Sequence, residues 1–378
     1  VVMRMELHIL RTSSARPTGK RQVSGSIIQC EDGIAVIDAG EGFQTRYADQ
    51  RKRLKTHDKG STLRASRINA VCLTHGHLDH TWGVLPWMHT MALDKRETPL
   101  LVLGPTSPEV FDALLKGEAI PESAPSAELA RQIRGWQELG ATTESLGYPV
   151  RWVLGDLAVD RWLEMASDGT ASLLESMPQP EGWKKNRMQP LATHHTVPSC
   201  AWMLESKGGA GKFNRLKAAE LRLTDEQKAQ LSMGHDITTD DGTALSSDDF
   251  RGEERPTTRM VVSGDTSEMA ESLTALSGVD VLVHESTFLA DAQQWADEFL
   301  HSTSTGAART ALACNARHLV LTHFSARLKD AELPLSEAKN EIEEHDLSVT
   351  AAVDGDRIKI SDSGSISHLV WTGDGWSS

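Results

Sequence analysis

A layered α/β fold is what this sequence predicts, on two observations. Short apolar, β-branched runs bounded by turn residues recur along the chain, and patterns of helical period fall between them. The 378 residues allow one large domain or two ordinary ones. With 39% apolar and 24% charged residues, the chain has the balance of a globular protein that buries a real core.

Taken in order, Met5–Leu10, Ser24–Cys30, Gly33–Asp38, Ile68–Leu73 and Pro99–Gly104 read as strands, each apolar and closed by turn residues. Pro108–Leu115 and Ala127–Glu138 carry helical period. The stretch from about 118 to 188 is rich in Pro and Trp (Trp136, Trp152, Trp162, Trp183), shows no assignable period, and reads as an insertion. From about 205 to 235 the Gly-rich "KGGAGK" and then one helical run, Asn214–Leu231, read as an exposed arm. After the acidic loop Asp236–Glu254 come strands at Thr258–Gly264 and Val279–Glu285, a helix over Thr303–Ala316 opened by Ser/Thr caps, and a strand at His318–His323. The tail from Gly364 has no assignment. The expectation is a single domain, 1–378, bearing that insertion and that arm.

No run of eighteen apolar residues occurs, so no membrane span is expected. The start "VVMRMELHIL" is too short and too charged for a secretory signal. The four cysteines, Cys30, Cys72, Cys200 and Cys314, lie far apart without a CxxC pair, and at least three sit in apolar contexts and read as reduced core residues, which favours the cytoplasm.

The net charge of −14 argues against a nucleic-acid partner, since phosphate binding needs Lys and Arg. The distribution argues the other way. Glu41–Arg67, read as a basic loop, holds eight basic residues against three acidic ones, Arg51 and Arg53 among them. Lys207, Lys212, Arg215 and Lys217 form a second basic cluster. Either is as readily a solvated surface as a phosphate-binding one.

The chemistry lies in "THGHLDH", Thr74–His80, which puts three histidines and an aspartate just after an apolar run. Neutral imidazole and carboxylate are metal donors. His75 and His77 alternate, so on an extended turn both face one ion, while Asp79 and His80 face a second. Further donors belong at strand ends, and the sequence offers His194 and His195, Asp265 after "VVSG", and His323 after "LVLT". No cysteine joins them, so the set is not a closed structural zinc site; all-N/O donors with open positions suit catalytic Zn²⁺, or Mn²⁺ or Fe. Two ions held together activate water for hydrolysis.

These residues resemble the metallo-β-lactamase superfamily, and within it the ribonuclease Z (tRNase Z) family. "VIDAGEGFQTRY" (Val36–Tyr47), "HTVPSCAWML" (His195–Leu204), "VVSGDT", "VHESTF" (Val283–Phe288), "HSTSTGAARTA" (His301–Ala311) and "LVLTHFSARL" (Leu319–Leu328) are similar to its motifs in order, from about Met5 to Ile360. The resemblance implies an αββα four-layer sandwich of two mixed sheets flanked by helices. It implies one metal on His75, His77 and His195, another on Asp79, His80 and His323, and Asp265 bridging, with two Zn²⁺ per chain. It makes His301 the acid that protonates the leaving 3′ oxygen, Glu285 a candidate orienter for a catalytic or ligand His, and Asp79 a ligand that also takes a proton from water. Arg21 fits the family's loop for the RNA 3′ end. Arg51, Arg53, Lys207, Lys212, Arg215 and Lys217 become candidates for holding RNA. The implied partners are precursor tRNA and a second copy of the chain, the arm reaching the substrate across a homodimer. Leu78 stands where the family has Gly, Gln22 replaces its Asn, and the arm lacks its Gly-Pro pair.

Three functions follow: an endoribonuclease removing the 3′ trailer of precursor tRNA; a small-molecule hydrolase (phosphodiesterase, or β-lactam or lactone hydrolase) whose Trp-rich insertion builds an apolar pocket; and an RNA-binding subunit without activity. The filled ligand positions disfavour the last.

Overall fold

Alternation along the strands dictates the layers. In the strand Ile34–Ala39, Ile34 and Val36 point into one buried cluster, and Ala35 and Ile37 into another. A strand buried on both faces must be covered on both, and here the cover is helices on one side and a second sheet on the other. The computed structural model describes residues 3–19, 21–211, 213–252 and 254–378.

The larger sheet has eleven strands. Its centre is built by Met3–Arg11, Gly25–Cys30 and Ile34–Ala39, paired antiparallel, then Ile68–Cys72, Leu100–Pro105 and Val150–Asp156, paired parallel. The smaller sheet has six, running Ser348–Ala351, His318–Thr322, Val281–Glu285, Thr258–Val262, Cys200–Ser206 and Asn186–Ala192 across it. The first four are parallel and the last two join antiparallel. Met5, Leu7, Ile28, Ile37 and Cys72 of one sheet meet Trp202, Leu204, Met260, Val283 and Val320 of the other in the central cluster. The outer faces are closed by helices, including Phe43–His57, Val84–Leu93 and Leu129–Glu138 on one side and Ser304–Ala313 and Glu332–Glu341 on the other. The expected αββα sandwich of two mixed sheets is present.

Three expectations change. The basic segment read as a loop opens with a helix, Phe43–His57. Phe43, Tyr47, Gln50 and Leu54 are its buried stripe, at helical spacing, and the cations occupy the other faces. The arm's single helical run is two helices, Arg215–Glu220 and Asp225–Met233. Arg222 takes a left-handed φ of 50°, and Thr224 and Gln227 form a reciprocal capping box that starts the second helix afresh. The tryptophans of the insertion are core residues. Trp136 and Trp152 pack at 5.7 Å in the helix-facing core, and Trp162 and Trp183 join the inter-sheet core, while the segment adds strands at Val150–Asp156, Arg161–Met165 and Ala171–Leu174.

All four cysteines are buried and free. The chain between Ser206 and Thr258 folds on a small cluster of its own, Ala218, Leu223, Leu231, Ile237 and Phe250. The tail adds strands Ile366–Trp371 and Trp376–Ser377 at the edge of the larger sheet. Among the described residues, no helix is long and apolar enough to cross a membrane.

Candidate metal centre

The candidate residues gather where strands end. His75 and His77 follow Ile68–Cys72, Asp265 follows Thr258–Val262, Glu285 ends Val281–Glu285, His323 follows His318–Thr322, and His195 sits in the turn joining Asn186–Ala192 to Cys200–Ser206. Carboxyl ends of parallel strands share one edge of a sheet, so side chains distant in sequence converge there. Gly40 permits the close approach of loops: a Cβ on it would lie 2.0 Å from the Asp79 carbonyl oxygen.

Donor atoms of His75, His77, His195 and Asp265 lie within 4.8 Å of one another, and those of Asp79, His80, Asp265 and His323 form a second such group. Asp265 is common to both. His75 Nε2 is 3.0 Å and His195 Nε2 3.2 Å from His77 Nδ1. Asp265 Oδ1 is 3.3 Å from His80 Nε2 and 3.2 Å from His323 Nε2.

The hydrogen bonds decide which nitrogen of each ring faces inward. His80 Nδ1 donates to Asp38 Oδ2 at 2.7 Å, and His195 Nδ1 to the Leu300 carbonyl at 3.0 Å. Thr74 Oγ1 gives its proton to Asp38 at 2.7 Å and accepts from His75 Nδ1 at 3.0 Å. Thr287 Oγ1 gives its proton to Glu285 at 2.6 Å and accepts from His323 Nδ1 at 3.0 Å. Four rings are thus tied through Nδ1 and present Nε2, while His77 presents Nδ1. Tying the outer nitrogen is how a metal-ligating imidazole has its tautomer and orientation set. Asp265 Oδ1 and His323 Nε2 are buried without a hydrogen-bond partner among the described residues. Buried polar atoms left unsatisfied cost free energy, and a cation on them removes the cost.

The protonation states agree. Burial, then the neighbouring His80, drives the pKa of His75 well down, and burial and His195 bring His77 to about 4. Both are neutral at pH 7, the ligating form. Burial disfavours charge on His80, yet Asp265, Asp79 and Asp38 outweigh it and raise that pKa well above the ordinary value. Three carboxylates demand positive charge at this place.

Beside the cradle, His301 Nδ1 is 2.7 Å from Glu285 Oε1, and the His301 ring lies 4.9 Å from that of His195 and 5.8 Å from that of His323. Burial resists its charge, but Glu285 prevails and lifts its pKa to about 9. Glu285 itself is fixed by the backbone N–H groups of Thr266 and Thr287, at 3.1 and 3.0 Å.

The remaining candidates divide. Arg21 reaches the segment after His323: it donates to the Leu328 carbonyl, stacks 5.5 Å from the Phe324 ring, and keeps Nη1 buried without a partner among the described residues. Arg51 is exposed on the basic helix. Arg53 is engaged, 4.4 Å over Trp371 and bonded to Gln50 and the Asp354 carbonyl. Lys207 and Arg215 are exposed, whereas Lys217 bonds the Asp249 carbonyl at 2.9 Å and lies over Phe250. Lys212 lies outside the described residues. The side chain of His194 is exposed, so only His195 joins the cluster. Sequence reasoning missed Asp38, Thr74 and Thr287. Asp38 had the signal used for Asp265, a carboxylate closing an apolar strand; the two threonines had none.

Residues 18–149 match the sequence model of the metallo-beta-lactamase superfamily. A Ribonuclease Z from Myxococcus xanthus is 29% identical over 358 residues, which cover 94% of this chain and 98% of that protein. Among solved structures, the metallo-beta-lactamase fold protein YhfI from Bacillus subtilis superposes with a TM-score of 0.54 at 15% identity, over 94% of this chain and 99% of its own. The short form of human tRNase Z does so with a TM-score of 0.50 at 19% identity, over 93% and 98%. The two structures share the fold with this chain, and the sequence match over residues 18–149 agrees with them: this chain has the metallo-β-lactamase fold.

Proposed function

We propose that this protein is a metal-dependent endoribonuclease that removes the 3′ trailer of precursor tRNA. The observation that carries the hydrolytic part is the set of five imidazoles, each with one nitrogen turned toward a shared, unsatisfied Asp265. The choice of substrate is supported by the Ribonuclease Z relatives that the chain matches along nearly its whole length. It is supported also by the basic helix that leaves the rim of the site.

His75, His77 and His195 would hold one Zn²⁺, Asp79, His80 and His323 the other, and Asp265 both; Mn²⁺ or Fe suits the same donors. A bound pair of this kind supplies Lewis acidity and water of lowered pKa. Asp79 Oδ2 accepts from the Ala15 N–H at 2.9 Å, which aims it within the cradle as a proton acceptor. His301, charged at neutral pH through Glu285, gives its proton to the leaving 3′ oxygen. Arg21 suits a phosphate near the RNA 3′ end, with its buried Nη1 unpartnered among the described residues beside the His323 segment. Arg51 with Lys52, Lys55, Lys59 and Arg64 lines an open groove of about 620 Å³ that tracks phosphates away from the site. Lys207, Lys212, Arg215 and Lys217 of the arm contact the tRNA body across a homodimer; sedimentation at twice the chain mass is the expected result. The small-molecule reading loses its motive, because the tryptophans that would line an apolar pocket are core residues.

The test is incubation of purified protein with a precursor tRNA, with and without chelator, mapping the cut. A single metal-dependent cut at the 3′ boundary is expected; no cut, or cutting that survives chelation, refutes the proposal.

A further inference from the structure

A second cation-rich site lies at the opposite end of the sheets. Arg4 begins the first strand, Cys30 ends the second, Arg67 precedes Ile68–Cys72, and Ser206 ends Cys200–Ser206. A six-residue strand spans about 20 Å, so this end is that far from the metal loop. It is also where the arm leaves the body. Gly209 and Arg255 pair backbone to backbone, at 3.0 and 2.8 Å.

A cleft of about 630 Å³ opens there, lined by Arg4, Arg67, Lys184, Lys185, Lys207 and Arg255, with two acids among the described lining residues, Glu31, which pairs with Lys185 at 2.6 Å, and Asp362; Arg67 also donates to the Glu31 carbonyl at 2.7 Å. Counting Asp32, which accepts from the N–H groups of Lys184, Lys185 and Asn186 at 3.0, 2.8 and 2.8 Å, still leaves a surplus of positive charge. In a chain of net charge −14 that concentration is a local reversal. Arg4 is buried and spent: it donates to Ser206 Oγ at 3.1 Å and to the carbonyls of Ser206 and Lys207 at 3.0 and 2.8 Å, stitching the arm's root to the first strand. Arg255 differs, since its Nε is buried without a hydrogen-bond partner among the described residues. The two guanidiniums stand close enough that Arg255, after burial, depresses the pKa of Arg4 against the opposing pull of Asp362 and Asp280. Like charges held together with an idle donor are relieved by an anion.

The volume is that of a small-molecule site. None of the described residues lining it is aromatic, so it has no platform for stacking a base. We propose that this cleft binds a compact oligophosphate anion, two or more linked phosphates, through Arg67, Lys184, Lys185, Lys207 and Arg255. The inference does not depend on the reaction at the metal centre.

Calorimetric titration of the full-length, metal-loaded protein with inorganic tripolyphosphate tests it. The expected result is one saturable, salt-sensitive site per chain that persists in Asp265→Ala. It should weaken by about tenfold or more in Lys184→Gln/Lys185→Gln/Arg255→Gln, which removes three charged donors. Lys184→Gln/Lys185→Gln alone changes only exposed side chains and should weaken it in the same direction, so misfolding of the triple variant does not blur the result. Arg51→Gln/Lys55→Gln should leave the site intact. Absence of saturable binding, binding indifferent to the cleft variants, or binding lost with Asp265→Ala overturns the proposal. So does a cleft that takes an RNA duplex but not tripolyphosphate.

Discussion

Asp38 and His323 both hold left-handed backbone, at φ 58° and 57°, a conformation costly for residues other than Gly. Each sits where a strand gives way to a loop of the metal centre, and each is fixed by hydrogen bonds that would be lost were the backbone to relax. Among the described residues the His301 ring is tied to Glu285 and the Thr287 hydroxyl, and it joins neither group that shares Asp265. That separation makes it separable by mutation. His301→Ala is expected to lower kcat on precursor tRNA by roughly a hundredfold or more, the usual size of a lost general acid, with metal content and RNA affinity unchanged. Loss of metal, measured by atomic absorption, would assign the ring to the cradle instead.

At the scale of elements, the helix Phe43–His57 shows how one segment serves two ends. Its buried stripe anchors it against Trp87 and the larger sheet, with Phe43 4.9 Å from that ring, and its remaining faces carry the cations. The charge is therefore rigidly presented rather than carried on a flexible loop. Replacing Arg51, Lys55 and Lys59 by Gln is expected to weaken precursor tRNA binding. It should also reduce the slope of log K against log salt by about 2 to 3, roughly one per phosphate contact, and spare cleavage of a small phosphodiester. An unchanged slope would show the groove idle. The helix was legible in the sequence, since 43, 47, 50 and 54 already have helical spacing; the density of charge drew attention from it. The break in the arm was legible too, in the Thr224 and Gln227 pair. The insertion was not, because its strands run toward one end of the larger sheet, where the pattern depends on what covers each face.

At the scale of the molecule, His8 is one of the buried histidines, with His318 and His284, on which acid stability turns. It is wholly buried in the first strand, with Glu6 3.7 Å away, Gln50 Nε2 3.2 Å from its Nδ1, and the Arg357–Glu6 pair beside it at 2.5 Å. Burial first, against the pull of Glu6, lowers its pKa to about 4. The folded state therefore binds this proton more weakly than the unfolded chain. Its contribution to stability is complete above the unfolded pKa and is lost as pH falls through about 4, a loss of about 3 kcal/mol in full. His8→Gln should flatten that limb: in chelator, so that metal release does not intrude, its urea midpoint should fall less than the wild type's between pH 7 and pH 4.5. Equal falls would place the acid sensitivity elsewhere.

The sequence by itself determined the kinds of donor and their place at strand ends, because an apolar run that stops at His or Asp carries that side chain to the sheet's edge whatever lies across from it. It determined the layered class for the same local reason, since periodicity is a property of neighbouring residues. Only the tertiary structure decided that Asp38, Thr74 and Thr287 set the imidazole tautomers, and that Arg53 is spent on Trp371 while Arg51, over Tyr47, stays exposed. Those outcomes depend on partners tens to hundreds of residues away, and a side chain's identity does not state what packing will put against it.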